Sequence, residues 1–244
     1  YMAFMDGVVM GGGMGISQGG STRLVTERTK MAMPETHIGL FPDVGGGYFL
    51  SRCPGHAGEY LALTGYTLGG PDAVAMGLAD GCVDSARLPL LWETLATTPF
   101  ESSEAIEHWV ATHFIAKSSH STLGMAEIDA YFGLESVPAI IQALEAAPGD
   151  WAKGTAAVLR KRSPLMLHVV LEQIRRARAM GLADDLRMDE WHIDIALSSS
   201  DSRVSRCWSS CWRARICWGC CWPCRSLPTT PGRNGRGRGV GVAR

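Results

Sequence analysis

The chain has 244 residues and a formal net charge of −1, with 46% apolar residues, 19% charged residues and a mean hydropathy of +0.03. That length accommodates one core, or one core with a small appended domain, and the composition is that of a globular rather than a disordered protein. No run approaches the roughly 18–20 apolar residues of a membrane span, and Tyr1–Gly7 lacks the basic segment and long apolar run of a secretory signal.

The charge is unevenly spread. Residues 203–244 carry nine arginines and no lysine or acidic residue; the 23 basic residues less these nine leave 14 against 24 acidic ones elsewhere, a balance of −10. Cysteine is as uneven: Cys53 and Cys82 stand alone in the body, whereas Cys207, Cys211, Cys217, Cys220, Cys221 and Cys224 crowd together. The body has the cysteine usage of a reducing compartment.

In chain order, Phe4–Met10 is apolar and β-compatible and runs into Gly11-Gly12-Gly13. A helix is expected from Met14-Gly15-Ile16, then short strands at Thr22–Val25 and Lys30–Met33, then a loop over Pro34–Leu40 leading to Pro42-Asp43-Val44-Gly45. Helices are expected at Tyr48–Cys53, Glu59–Thr64 and Pro71–Met76, with a short strand ending at Val83. The alternation is α/β in character. From about residue 87 the reading is helical. Val137, Ile140, Ile141 and Leu144 share one helix face, and Leu167, Val170, Leu171 and Ile174 share another after Ser163-Pro164. Arg175, Arg176 and Arg178 fall near the end of that second helix, where they read as a solvated, dipole-complementing face. A last helix is expected from about Leu182 to Leu197.

Three features bear on chemistry. Gly11-Gly12-Gly13 lies between a strand and a helix, so its free N–H groups suit an oxyanion; a ligand-free tight turn explains the same residues, and the spacing matches no dinucleotide or phosphate loop. Glu35 and Asp43 form a carboxylate pair eight residues apart in a Gly/Pro-rich stretch, and such pairs divide acid–base labour. Taken singly, Asp43 also reads as a helix N-cap and Glu35 as a loop acid. His37 has no visible partner in sequence, and His56, His108, His113, His120, His168 and His192 show no metal-ligand spacing.

The combined text of residues 5–17 and 32–50, with Leu61-Ala62-Leu63-Thr64-Gly65, Ser163-Pro164 and Leu186-Arg187-Met188-Asp189-Glu190-Trp191, resembles the enoyl-CoA hydratase/isomerase (crotonase) superfamily, and within it the 3-hydroxyisobutyryl-CoA hydrolases. The resemblance implies a partial crotonase-like ββα spiral over 1–85, a helical region over 86–202 and an unrelated tail over 203–244. It implies Glu35 and Asp43 as the catalytic acids, with Gly12 and its neighbour Gly11 at the oxyanion hole. It further implies an acyl-CoA as the substrate partner, with CoA part of that substrate, no separate cofactor, no metal, and neither nucleic acid nor membrane. Homo-oligomer formation is left open; the compartment expected is the cytoplasm for a bacterial chain and the mitochondrial matrix for a eukaryotic one, with the cytoplasm preferred. Two-glutamate hydratases place the first glutamate where this sequence has Gly15, so hydratase or isomerase activity is the second reading and a non-catalytic fragment the third.

Two departures from the family stand out. The family carries further residues before Tyr1, including the second oxyanion donor and much of the CoA surface; an oxyanion hole lacking one donor loses about 100- to 1,000-fold in rate, so the chain as written is expected to be nearly inactive. The tail carries abutting Cys-x-x-Cys pairs at 217–220 and 221–224, and many arginines and tryptophans. A zinc site or a nucleic-acid arm answers to those residue types, and out-of-frame translation of a GC-rich gene answers better to their lack of periodicity.

Overall fold

The computed structural model describes the backbone of residues 1–113 and 121–198 and the side chains of 1–112 and 121–190. The readings of the 203–244 tail lie outside the described residues.

The apolar run expected as one strand at 4–10 is two: β1 (Met2–Met5) and β2 (Val8–Met10). The break is Asp6-Gly7, where Gly7 takes φ 104, a conformation that glycine adopts without steric penalty. The next pair, β3 (Thr22–Val25) and β4 (Lys30–Ala32), repeats the switch beside it. Thr29 Oγ1 donates to the Met5 carbonyl at 2.6 Å and Lys30 N to the Gly7 carbonyl at 2.7 Å, locking the two corners together. β1 pairs parallel with β3 and β2 parallel with β4, with Met10 opposite Ala32. A short β5 (Gly81–Cys82) extends the first sheet to β1-β3-β5. Helix α1 (Gly12–Gln18) returns the chain from β2 to β3, so two strands in different sheets and a helix make one turn of the expected ββα spiral.

Helices α2 (Gly46–Leu50), α3 (Ala57–Thr64) and α4 (Gly70–Ala75) follow, each starting earlier than expected. Every residue of α3 is buried, including Glu59, whose carboxylate is met by Arg178 at 2.7 Å and His56 at 3.1 Å.

The remainder is helical: α5 (Leu88–Thr97), α6 (Ser103–His113), α7 (Met125–Phe132), α8 (Val137–Ala146), α9 (Asp150–Arg160), α10 (Pro164–Ala177) and α11 (Leu182–Ser198). α8 and α10 begin alike. Ser136 accepts from Ala139 N and Ser163 from Met166 N, each with proline in the first turn. Their apolar faces bury Ile140, Leu144, Val170 and Ile174 completely, each worth about 1.5–3 kcal/mol. These side chains join Met14, Met31, Phe41 and Leu63 in one continuous core, so the helical region and the strands stabilise each other. A smaller cluster of Leu24, Val83, Leu91 and Val110 lies under α5 and α6. Among the described residues, no helix is long and apolar enough to cross a membrane.

The arginines at the end of α10 do more than face solvent. Arg175 donates to the Leu134 and Glu135 carbonyls, and Arg178 to the Gly55 carbonyl and the buried Glu59. Only Arg176, paired with Glu172 one turn back, matches the solvated reading.

Candidate active site

The parallel register of β2 with β4 assembles the site. Gly11 follows β2 directly, while Met33-Pro34 carries the chain from β4 into a 3-10 turn, Glu35–Ile38, where a plain loop was expected. Gly11 N donates to the Ala32 carbonyl at 3.3 Å, so the ladder ends with Gly11 and Glu35 on the same edge. This is the carboxyl end of a parallel pair, the side on which ligands gather in parallel sheets.

Glu35 is only 7% exposed, and its Oε2 has no hydrogen-bond partner among the described residues. Oε1 lies 3.0 Å from the point where a Cβ on Gly11 would stand. Gly11 has φ 53 and ψ −124, a pair of angles open to glycine and forbidden to larger residues. Gly12 occupies the first position of α1, where an N–H has no intrahelical acceptor. Burial pushes the Glu35 carboxyl up to about 8, and the charge of Asp43 adds to the rise.

Asp43 is half-buried, and burial raises its carboxyl above the ordinary range as well. Its alternative reading as an N-cap is not realised: Gly45 caps α2 without a side-chain bond, and Asp43 contributes its carbonyl to Gly46 N at 2.8 Å. Val44 has φ 52, the one positive φ outside glycine among the described residues. For a β-branched residue that conformation costs on the order of 1–3 kcal/mol. Val44 packs into the space left by Gly15: a Cβ there would lie 2.5 Å from Val44 Cγ2. The structure thus places Glu35 against Gly11 at the start of α1, with Asp43 close enough for its charge to act on Glu35 and Val44 packed against Gly15.

His37 turns toward Gly65, whose added Cβ would lie 2.6 Å from its Cε1. Its Nδ1 lies 3.0 Å from the Pro34 carbonyl and its Nε2 2.6 Å from Arg162 Nη2. Arginine only donates, so Nε2 accepts and Nδ1 carries the proton. Burial and the Arg162 charge both lower its pKa.

A carboxylate pair that sequence did not single out lies behind the Asp43 loop. Asp185 and Asp189, one turn apart on α11, are 0% and 5% exposed. Asp189 Oδ2 accepts from Gly45 N at 3.2 Å and Asp185 Oδ2 from Tyr48 N at 2.9 Å. Burial pushes the Asp189 carboxyl up to about 7, with smaller contributions from Asp185 and Asp43. Among the described residues, no group of three or more His, Cys, Asp or Glu is arranged to hold a metal ion.

A family model described as enoyl-CoA hydratase/isomerase matches residues 1–203. The chain belongs to that family. A carnitinyl-CoA dehydratase structure from Mycobacterium thermoresistibile is 36% identical and superposes with a TM-score of 0.75, over 88% of this chain and 63% of the other. A mitochondrial 3-hydroxyisobutyryl-CoA hydrolase of Mus musculus is 40% identical over 196 residues, 78% of this chain and 51% of that protein. The small ribosomal subunit protein mS47 of Arabidopsis thaliana is 41% identical over 201 residues, 80% of this chain and 49% of that protein. The chain spans about half the length of the curated relatives it matches. The crotonase-like fold read from the glycine triplet and the Glu35–Asp43 stretch is therefore the fold of the enoyl-CoA hydratase/isomerase chain itself.

Proposed function

We propose that this site hydrolyses the thioester of 3-hydroxyisobutyryl-CoA, or of a similar short 3-hydroxyacyl-CoA, to the free acid and CoA. The observation that carries the reading is Glu35: a buried carboxyl with an unpartnered oxygen, held against the glycine-rich start of α1. In the proposed reaction the thioester oxygen receives the Gly12 N–H as its negative charge develops. Glu35 acts either as the nucleophile or as the base that takes a proton from water. Asp43, on the adjoining loop, meets the substrate's 3-hydroxyl and assists the hydrolytic step. The C–S bond breaks, a C–O bond to water's oxygen remains, and a proton returns to the departing thiolate. Water and thioester suffice, so no cofactor is required, CoA being part of the substrate.

Hydration is disfavoured because Gly15 supplies no second carboxylate and Val44 fills the space one would need. The similarity to a ribosomal subunit protein means that overall identity does not separate a catalyst from an assembly component. Glu35 supports the catalytic reading: a structural role gives no reason to keep an unpaired carboxyl at the cost of burying it. By resemblance, the reaction belongs in the cytoplasm of a bacterium or the matrix of a mitochondrion.

The test is thiol release from 3-hydroxyisobutyryl-CoA by the 244-residue chain and by a version extended to the relatives' length. Hydrolysis by the extended version, lost by about 1,000-fold or more in Glu35→Gln and reduced in Asp43→Asn, is expected. An extended protein that releases no thiol, or a fully active Glu35→Gln, overturns the reading.

A further inference from the structure

Asp43 sits on a segment that has little reason to hold its shape alone. It is followed by two residues with left-handed backbone, Val44 at φ 52 and Gly45 at φ 82, and the helix it enters has only five residues. Strained backbone of this kind persists where the surroundings over-determine it. Here the surroundings are two side chains from distant helices. Gln173 on α10 donates through Nε2 to the Pro42 carbonyl at 2.7 Å, immediately before Asp43. Asp189 on α11 accepts from Gly45 N at 3.2 Å, two residues after it. Gln173 Nε2 also donates to Asp189 Oδ1 at 3.0 Å, which joins the two holds into one unit straddling Asp43. Both side chains are buried, so water does not compete for these bonds.

We propose that Asp189, acting through Gln173 and the backbone of Pro42 and Gly45, is the positioning residue that fixes where the Asp43 carboxylate stands. Its role in rate rests on the hydrolase reading above; its role in holding Asp43 does not. Asp185 supports the same segment one turn further on, through Tyr48 N, and its Oδ1 approaches Gly47 so closely that a Cβ there would lie 2.3 Å away. The docking of α11 on the loop is thus close at three points: Gly45, Gly47 and Tyr48. Among the described residues, no cation in the same turn pairs with either aspartate. Arg187 pairs instead with the exposed Asp184, and Arg52 reaches Asp185 only through its field. The pair is oriented by backbone N–H groups and an amide, as parts that hold a loop are.

Two readouts test this. The first is the titration of the Asp43 carboxyl in the 244-residue chain, followed by carbon NMR with Glu35, Asp185 and Asp189 assigned alongside. Asp189→Asn disturbs the paired hold on Gly45 and Gln173 and frees the loop toward water, so the burial that raises the Asp43 carboxyl is relieved and its midpoint is expected to fall. The second is thiol release by the extended version, where Asp189→Asn is expected to lower kcat by about 10- to 100-fold with KM little changed, as misplacement of a reacting group does. Gln173→Leu, which keeps both carboxylates and cuts the hold on Pro42, is the second variant should Asp189→Asn fold poorly; it is expected to lower kcat likewise. An unmoved Asp43 midpoint, or an unchanged kcat in a well-folded variant, overturns the proposal. If the extended wild type releases no thiol, the hydrolase reading fails, and the Asp43 midpoint alone decides the positioning role.

Discussion

Glu35 Oε1 stands 3.0 Å from the point a Cβ on Gly11 would occupy, so the catalytic candidate and the glycine turn leave no room for a methyl group between them. Substituting Gly11 therefore acts on the reaction and the fold together. Gly11→Ala must hold a glycine-only backbone conformation, costing on the order of 1–3 kcal/mol, and must push the Glu35 carboxyl aside. A fall of about 10-fold or more in kcat, alongside a lowered melting temperature, is the expected result. Unaltered hydrolysis in the folded variant would separate Glu35 from the turn.

Burial of Glu35 ties stability to pH. The carboxyl titrates near 4.5 when unfolded and near 8 when folded, so the native state holds an extra proton between those values. Its contribution is fully present below about pH 4.5, is lost as pH rises to about 8, and is level beyond. At about 1.4 kcal/mol per pH unit the loss is on the order of 5 kcal/mol. Asp189, raised to about 7, adds a loss of the same sign over a narrower window. Urea titrations should find Glu35→Gln no more stable than wild type at pH 4.5 and clearly more stable at pH 8.5. Equal stability at both values would place Glu35 in water.

The same carboxyl sets the rate profile. Nucleophile or base, Glu35 must be ionised to act, so kcat/KM is expected to rise with pH through an apparent value near 8. A profile already flat at pH 6 would assign the step to a group with an ordinary carboxylate titration.

Gly15 and Val44 are coupled by contact. In an exposed helix, Gly→Ala is stabilising by up to about 1 kcal/mol. At Gly15 the added Cβ meets Val44 Cγ2 at 2.5 Å and Cβ at 2.8 Å, so the sign should reverse, to a cost of about 1–3 kcal/mol. Val44→Gly removes both atoms and the left-handed strain. A double-mutant cycle by thermal melting should then show Gly15→Ala costing less in the Val44→Gly background. Additive effects would mean that the two residues do not meet.

Arg178 holds a buried charge. Glu59 is 0% exposed and receives Arg178 at 2.7 Å. Arg178→Ala leaves that carboxylate with His56 alone, and a destabilisation of about 3 kcal/mol is expected by chemical denaturation. Glu59→Gln in the same background should recover part of it, because the amide carries no charge to strand.

Much of this chain could be read locally. The helix faces of α8 and α10 repeat every three to four residues, their serine caps precede a proline, and both helices stand where that pattern puts them. Gly11-Gly12-Gly13 marks a strand-to-helix turn, and Glu35 and Asp43 fall in a text specific enough to name the family. Local signals failed where a contact between remote residues settled the outcome. The run at 4–10 carries no mark that Asp6-Gly7 divides it between two sheets; the pairing with Thr29 and Lys30 does that.

The carboxylates show the division best. In sequence Glu35, Asp43, Asp185 and Asp189 are all acids, and charge alone assigns each to the surface. On α11 the expectation is inverted: Leu182 and Leu186 are exposed while Asp185 and Asp189 face inward. Asp189 meets Gly45 across 144 residues of chain, a separation that no periodicity spans. Sequence by itself determined the family, the residue types at the site and most of the helices, because those depend on neighbours along the chain. Tertiary structure decided which acids are stripped of water, which lies against the glycine turn and which hold the loop behind it, because burial and hydrogen bonding depend on neighbours in space.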